Sequence, residues 1–105
     1  MMKPAQVVKA LAALAQPTRL AIFRLLVGAG PEGMAAGKVA QRLKVSPATL
    51  SFHLRTLSHA GLVEGRQEGR FVYYAANFTV MNGMVDYLTE NCCGGIDCGI
   101  HRKTC

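Results

Sequence analysis

The stretch KVAQRLKVSPATLSFHLRTL, residues 38–57, decides the fold that we predict for this chain. Its pattern predicts a short helix, a tight turn and a second helix. Ser46 suits the N-cap of the second helix because its hydroxyl can accept from free backbone N–H groups. Pro47 follows at the first helical position, where its missing N–H costs nothing. Each helix has an apolar stripe at helical spacing, formed by Val39, Ala40 and Leu43 and by Leu50, Leu54 and Leu57.

The rest of the second helix is mostly small, hydroxylated or basic, as a surface that enters a DNA groove needs to be. An ordinary helical hairpin with a solvated face would show the same spacing. Charge favours the DNA interpretation, because residues 38–70 have a net charge of +4 out of +6 for the whole chain. The candidate DNA contacts on this helix and the turn before it are Lys44, Ser46, Ala48, Thr49, Ser51, Phe52, Arg55 and Thr56.

Two short β-rich runs, residues 62–67 and 70–75, follow the second helix, with Glu68-Gly69 as the predicted turn between them. Such a hairpin beside a reading helix is a wing that can hold phosphates. Arg66 and Arg70 are its candidate contacts. Arginines at a turn are usually only solvated, and it is the position beside the helix that favours a functional role.

A chain of 105 residues with 50% hydrophobic content predicts one domain with one modest core. No apolar run is long enough for a membrane span, and the N-terminal residues lack a signal-peptide pattern. We therefore expect a cytoplasmic protein whose thiols stay reduced. The sequence does not favour an enzyme, because it contains no motif for a phosphate-binding glycine loop, paired carboxylates or an activated nucleophile.

Apolar helices are predicted at both ends of the domain. Residues 6–15 and a helix opened by Pro17 precede the reading unit, and a helix capped by Asn77 follows the hairpin. The first and last helices have more apolar surface than one small core needs. We expect them to form a two-fold dimer interface, which would match a palindromic DNA site.

All four cysteines lie in the last 14 residues, at Cys92, Cys93, Cys98 and Cys105. Thiolates are soft donors, and Gly94 and Gly95 would let the chain fold back so that Cys98 reaches the adjacent pair. Three converging thiolates suit trivalent arsenic or antimony. A zinc site with Cys105 or His101 as fourth ligand and a thiol redox switch both stay open on spacing alone.

We divide the chain into a DNA-binding and dimerisation domain, residues 1–91, and an inducer-binding tail, residues 92–105.

Three linked motifs resemble the ArsR/SmtB family of metalloregulators. They are ALAQPTRLAIFRLL at residues 13–26, SFHLRTLSHAGLV at residues 51–63 and GRFVYY at residues 69–74. The resemblance covers roughly residues 8–88. It implies a mostly helical α+β fold: a winged helix-turn-helix with N- and C-terminal dimerisation helices. It also implies a homodimeric repressor that leaves its operator DNA when a metal or metalloid binds.

The resemblance also indicates which class of inducer to expect. Family members that sense through the helix before the reading helix have a Cys-x-Cys motif there, and residues 39–45 contain no cysteine. The Asp-x-His pair of zinc and nickel sensors is missing, because Asp86 is followed at that spacing by Leu88. Arsenical repressors with a thiol site after the last helix are the better match. The resemblance therefore favours arsenite, or antimony, over zinc, with ligands Cys92, Cys93 and Cys98.

The sequence thus predicts a DNA-binding transcriptional repressor that trivalent arsenic or antimony releases from its operator. Two alternatives stay open. One is a zinc- or redox-responsive repressor of the same fold. The other is a thiol-tailed metal-handling protein that does not bind DNA.

Overall fold

The helix-turn-helix forms where residues 38–57 predict it, as α3 (Ala36–Leu43) and α4 (Pro47–His59) in a computed structural model that describes residues 2–95. Lys44 ends α3 in the left-handed conformation, with φ of 56°. Ser46 caps α4, since its Oγ accepts from the backbone N–H of Thr49 at 3.1 Å. The turn therefore has the cap and the proline that the sequence predicts.

Three further helices surround this unit: α1 (Pro4–Leu14), α2 (Pro17–Ala29) and α5 (Phe78–Thr89). The predicted helix starts form, with Pro17 as the first residue of α2 and Asn77 as the N-cap of α5. The Asn77 side chain accepts from the N–H of Val80 at 3.2 Å, and α5 continues through Gly83. The α1–α2 corner is held by Arg19, whose Nε donates to the carbonyl of Ala13 at 2.6 Å.

A three-stranded antiparallel sheet completes the fold, with strands β1 (Met34–Ala35), β2 (Val63–Glu68) and β3 (Phe71–Ala76) in the order β1-β3-β2. The wing hairpin is confirmed, but its turn is Gly69-Arg70, one residue later than predicted. Gly69 supplies the positive φ, 61°, that the tight turn uses. The sequence did not predict β1, which pairs Met34 with Tyr74. The mostly helical winged helix-turn-helix is thus the observed architecture.

The core lies where α2, α3 and α4 meet the base of the wing. Its largest fully buried side chains are Ile22, Leu26, Val39, Leu57 and Leu62. The predicted α4 stripe is confirmed, with Leu50, Leu54 and Leu57 all at most 2% exposed. This stripe fixes which side of α4 faces outward.

The helices at the two ends of the domain bury only part of their apolar surface. The side of α1 that faces the core presents Val7, Ala10 and Ala13. Leu14 packs against the edge of the core, whereas Val8 and Leu11 are exposed, as expected of a helix with more apolar surface than one small core needs. The large apolar side chains left exposed on α1, α2 and α5 are Val8 (65%), Leu11 (40%), Leu20 (45%) and Leu88 (58%). We call these four residues the outer apolar surface.

Among residues 2–95, no single helix is long and apolar enough to cross a membrane. Only α1 and α2 taken together reach that length and composition, and they are bent by 104°. Both helices contribute side chains to the core.

Candidate nucleic-acid interface

The outward face of α4 follows from its buried stripe. At about 100° per residue, Ala48, Phe52 and Arg55 project within roughly 50° of the direction opposite that stripe. All three are exposed, as are the predicted contacts Thr49 and Ser51. Thr56 is half-buried, and its hydroxyl lies 3.4 Å from the carbonyl oxygen of Phe52. The structure thus brings the predicted α4 residues to one continuous surface.

The turn before α4 presents Lys44 and Ser46 beside that surface, and both are exposed. The Ser46 hydroxyl is already engaged. It accepts from the Thr49 N–H and lies 2.9 Å from the Thr49 hydroxyl. The contribution of Ser46 that the structure shows is therefore to start α4, and any DNA contact would come in addition.

Ser46 can be tested for both roles with three substitutions. We expect Ser46→Ala to lower the free energy of unfolding by about 1 kcal/mol, because the cap is lost. Ser46→Asn keeps a capping oxygen and should retain stability and DNA affinity. Ser46→Asp keeps the cap but adds a negative charge, so stability should hold while DNA affinity falls. Chemical denaturation and duplex titration of the same preparations measure the two effects. Equal DNA affinity of the Asp and Asn variants would contradict the prediction that Ser46 contacts DNA.

The wing holds its two arginines differently. The Arg66 Nε lies 3.1 Å from Glu68 Oε1, and its guanidinium carbon lies 5.2 Å from the centre of the Tyr73 ring. Each contact is worth little by itself at an exposed site, but together they restrict the side chain to the wing surface. Arg70 lies in the exposed turn and forms no ion pair with any residue from 2 to 95. Arg70 is thus the better placed of the two to reach a phosphate.

Sequence reasoning missed the residues that hold Arg66. Tyr73 lies directly across from Arg66 in the β2–β3 ladder, and Glu68 follows two residues later on the same face of β2. Because side chains alternate between the two faces of a strand, the pattern of β2 and β3 could have identified these neighbours of Arg66. The pattern could be used only once the pairing register was known, and the register depends on the position of the turn.

His53 lies on the inner side of α4 and is 8% exposed. Its Nδ1 is buried and finds no hydrogen-bond partner in the part of the chain that the structure describes, while its ring meets Phe52 edge-on with centroids 5.4 Å apart. The position agrees with the prediction of a structural role beside the core stripe. Its side chain is therefore not available on the outward face.

Charge is unevenly distributed along the described chain. The basic residues of the reading unit are all exposed: Lys38, Arg42, Lys44, Arg55, Arg66 and Arg70. From residue 77 to residue 95 the only charged side chains are Asp86 and Glu90, and both are exposed. The helix-turn-helix and wing thus have a positive surface, residues 3–32 add a further net charge of +3, and the charged side chains of α5 and its C-terminal end are acidic.

The adjacent cysteines lie just after α5, in a short 3₁₀ segment, Cys92–Gly95. Their Sγ atoms are 3.7 Å apart. The chain turns sharply here, since Asn91 and Cys93 both have φ of 56°. Non-glycine residues seldom adopt this left-handed region, so the pair occupies an unusual backbone site.

The third predicted ligand, Cys98, lies outside the described residues, as do His101 and Cys105. Within residues 2–95, no three His, Cys, Asp or Glu side chains come together as a metal site. The geometry of the pair alone therefore tests neither the soft-ion site nor its ligand set.

Comparison with known proteins gives the family. A family model described as a helix-turn-helix domain matches residues 14–66. The transcriptional repressor SdpR of Bacillus subtilis is 33% identical over 76 residues, which span 72% of this chain and 81% of that protein. A cadmium resistance regulatory protein, the CadC homolog of Staphylococcus aureus, is 38% identical over 72 residues, or 69% of this chain and 58% of that protein.

Solved structures of related proteins support the same family. An ArsR-like transcriptional regulator from Rhodococcus sp. RHA1 superposes with a TM-score of 0.73 at 31% identity, over 87% of this chain and 83% of that one. The homodimeric winged helix-turn-helix DNA-binding domain of Mb0332 from Mycobacterium bovis, a possible ArsR-family regulator, gives 0.68 at 28% identity, over 93% and 89%. The family model runs from the end of α1 into β2 of the wing, and the relatives named here regulate transcription.

Proposed function

Since this chain belongs to the ArsR-like family of winged helix-turn-helix transcription regulators, we propose that it is a homodimeric repressor released from its operator by trivalent arsenic or antimony. The observation that carries the DNA-binding part is the outward face of α4. That face is polar or small along its length except at Phe52, and it lies beside an exposed basic turn and wing. α4 would enter the major groove while the wing lies on the backbone.

The first test is duplex binding itself. Operator-like duplex is selected from a random pool with the full chain, and affinity is then titrated at two salt concentrations. A repressor gives sequence-selective binding that weakens steeply as salt rises, because phosphate contacts release counterions. A thiol-tailed metal-handling protein gives neither a selected sequence nor a salt dependence.

Arg70 supplies a sharper prediction. We expect Arg70→Ala to weaken binding to selected and unselected duplexes alike, because phosphate contacts carry no sequence information. The slope of log affinity against log salt should become shallower by about 0.9 for each phosphate that the variant no longer neutralises, or about 1.8 for a dimer with two wings. Arg24→Ala is the matched control, since Arg24 is exposed on α2, and its slope should stay at the wild-type value. An unchanged slope for Arg70→Ala would remove the wing from the interface.

Dimerisation is supported by the outer apolar surface. Val8, Leu20 and Leu88 each expose more than two-fifths of their surface, and a partner that covered them would remove this apolar area from water. A second copy of the chain is the natural partner for a protein that reads two half-sites. The homodimeric relative described above has the same architecture.

The proposed inducer site begins at the cysteine pair. Two sulfur atoms 3.7 Å apart could bind one soft ion, and the third thiolate would come from Cys98, outside the described residues. Arsenous acid would form three As–S bonds by losing three hydroxyl groups as water, with the protons supplied by the three thiols. Cys93 must be in its thiol form for this reaction, as expected in a reducing cytoplasm.

Release requires a path from the cysteines to α4. The pair follows α5 directly, α5 packs against α1, and α1 in turn packs against α4. Capture of the ion at the end of α5 would favour a dimer conformer whose reading helices no longer match the two half-sites. The coupling free energy of such a switch is typically about 1–3 kcal/mol, and it acts equally in both directions.

A redox-responsive repressor is the second candidate, because two adjacent cysteines with Sγ atoms 3.7 Å apart are placed so that an oxidant could act on both. Operator affinity measured without arsenite, in reduced and in oxidised protein, separates the two candidates. The arsenical repressor loses its operator only when arsenite is added to the reduced protein. The redox repressor loses it, or gains it, on oxidation alone.

A further inference from the structure

One residue on the reading surface differs chemically from the others. Phe52 is the only large apolar side chain among the predicted contacts of α4, and 59% of it is exposed. A phenyl ring cannot donate or accept an ordinary hydrogen bond, so it cannot pair with the polar edges of bases. Its exposure serves neither the core nor the N-cap of the helix.

The position of Phe52 places it at the centre of the groove-facing surface. It is the sixth residue of α4, and its Cα–Cβ direction lies within about 20° of the middle of the exposed face at 100° per residue. Reading helices contact base edges with their N-terminal half. In the proposed complex Phe52 would therefore face the base edges, whereas Phe71, which is 61% exposed, begins strand β3 of the wing.

The surroundings of Phe52 keep the ring at this surface. Side chains on a helix lean toward its N-terminus, so Phe52 leans over the turn that bears Ala48, whose methyl group leaves space. On the inner side the Phe52 ring meets the buried ring of His53 edge-on, with centroids 5.4 Å apart and planes at 63°. The ring is therefore backed by a buried neighbour rather than folded into the core.

In the major groove, the apolar feature that a base pair offers is the C5-methyl group of thymine. Against the polar edge of a G·C pair the ring would displace water without replacing its hydrogen bonds, which disfavours that pair. We propose that Phe52 is a specificity-determining residue that contacts a thymine methyl group in each half-site. This inference rests on the proposed DNA-binding function and adds to it the identity of one base.

The test replaces thymine with deoxyuracil, which pairs identically and lacks only the methyl group. The selected duplex is made with deoxyuracil at one thymine position at a time, symmetrically in both half-sites, and titrated with the full chain. We expect one position at which the affinity of the wild-type protein falls by about fourfold per methyl group removed. At that position Phe52→Ala should bind the thymine and deoxyuracil duplexes equally.

Phe71→Ala is the matched control, because it removes a second exposed phenyl ring from the same protein. It should keep the wild-type discrimination between thymine and deoxyuracil. Equal binding of wild-type protein to every deoxyuracil duplex, or discrimination that persists in Phe52→Ala, would overturn the inference while leaving selective duplex binding, and so the proposed function, intact. Absence of any selected sequence would overturn both. Thermal melting of the two variants close to the wild-type temperature shows that a weaker affinity is not due to unfolding.

Discussion

We expect Cys92→Ser, Cys93→Ser and Cys98→Ser each to bind the operator with wild-type affinity and to stay bound when arsenite is added. The wild-type protein should lose about 5- to 150-fold in affinity under the same conditions, the range of typical allosteric coupling. A serine hydroxyl is a hard donor that does not replace a thiolate on a soft ion. One substitution should therefore leave the three-coordinate site incomplete. Operator titration by fluorescence anisotropy, with a non-thiol reductant present, measures both affinities.

Cys105→Ser is the matched control for these variants, because it removes a thiol from the same tail without removing a proposed ligand. It should keep the full arsenite response. Native mass spectrometry of the wild-type dimer should show, for each occupied site, the mass of one arsenic atom less three hydrogen atoms. Arsenite-driven release that persists when Cys92, Cys93 and Cys98 are all serine would show that the site is elsewhere.

Gly33→Ala should lower the free energy of unfolding by about 3 kcal/mol or more. Gly33 has φ of 75°, in the left-handed region that an alanine adopts only with strain. A Cβ atom there would also overlap the carbonyl oxygen of Tyr74. That oxygen belongs to the backbone of β3, which cannot move away without disturbing its pairing with β1. Urea denaturation followed by circular dichroism measures the change.

Gly28→Ala provides the comparison for this prediction. Gly28 lies within α2, and nothing approaches within 4 Å of where its Cβ would be. Alanine is about 1 kcal/mol better than glycine in a helix interior, so this variant should be as stable as the wild type or slightly more stable. A Gly33→Ala protein as stable as Gly28→Ala would contradict the close approach of residue 33 to β3.

Local sequence signals predicted most of the fold because they act over three or four residues. Ser46 with Pro47, and Asn77, define helix starts through hydrogen bonds to N–H groups that are near in sequence. Periodicity identified the buried stripe of α4, and the outward face that carries the candidate contacts follows from it. Five helices and the wing could therefore be placed without knowledge of distant contacts.

The features that were missed depend on long-range pairing. Strand β1 has two residues and is a strand only because Tyr73 and Tyr74 of β3 lie beside it. The turn at Gly69-Arg70 depends on which ladder register buries Val63 and Ala76 best. Similarly, the spacing of apolar residues in α1 could not show that Val8 faces away from the core, because the sequence does not say which neighbours a helix has.

The separation of charge has a kinetic consequence. A duplex attracts the helix-turn-helix and wing, with a net charge of +4 over residues 38–70, more strongly than α5, whose charged side chain Asp86 is acidic. A protein diffusing toward DNA is therefore turned to the productive orientation before it touches the phosphates, and its encounters are more often successful. Added salt should slow the arrival of the protein, while its rate of departure changes less.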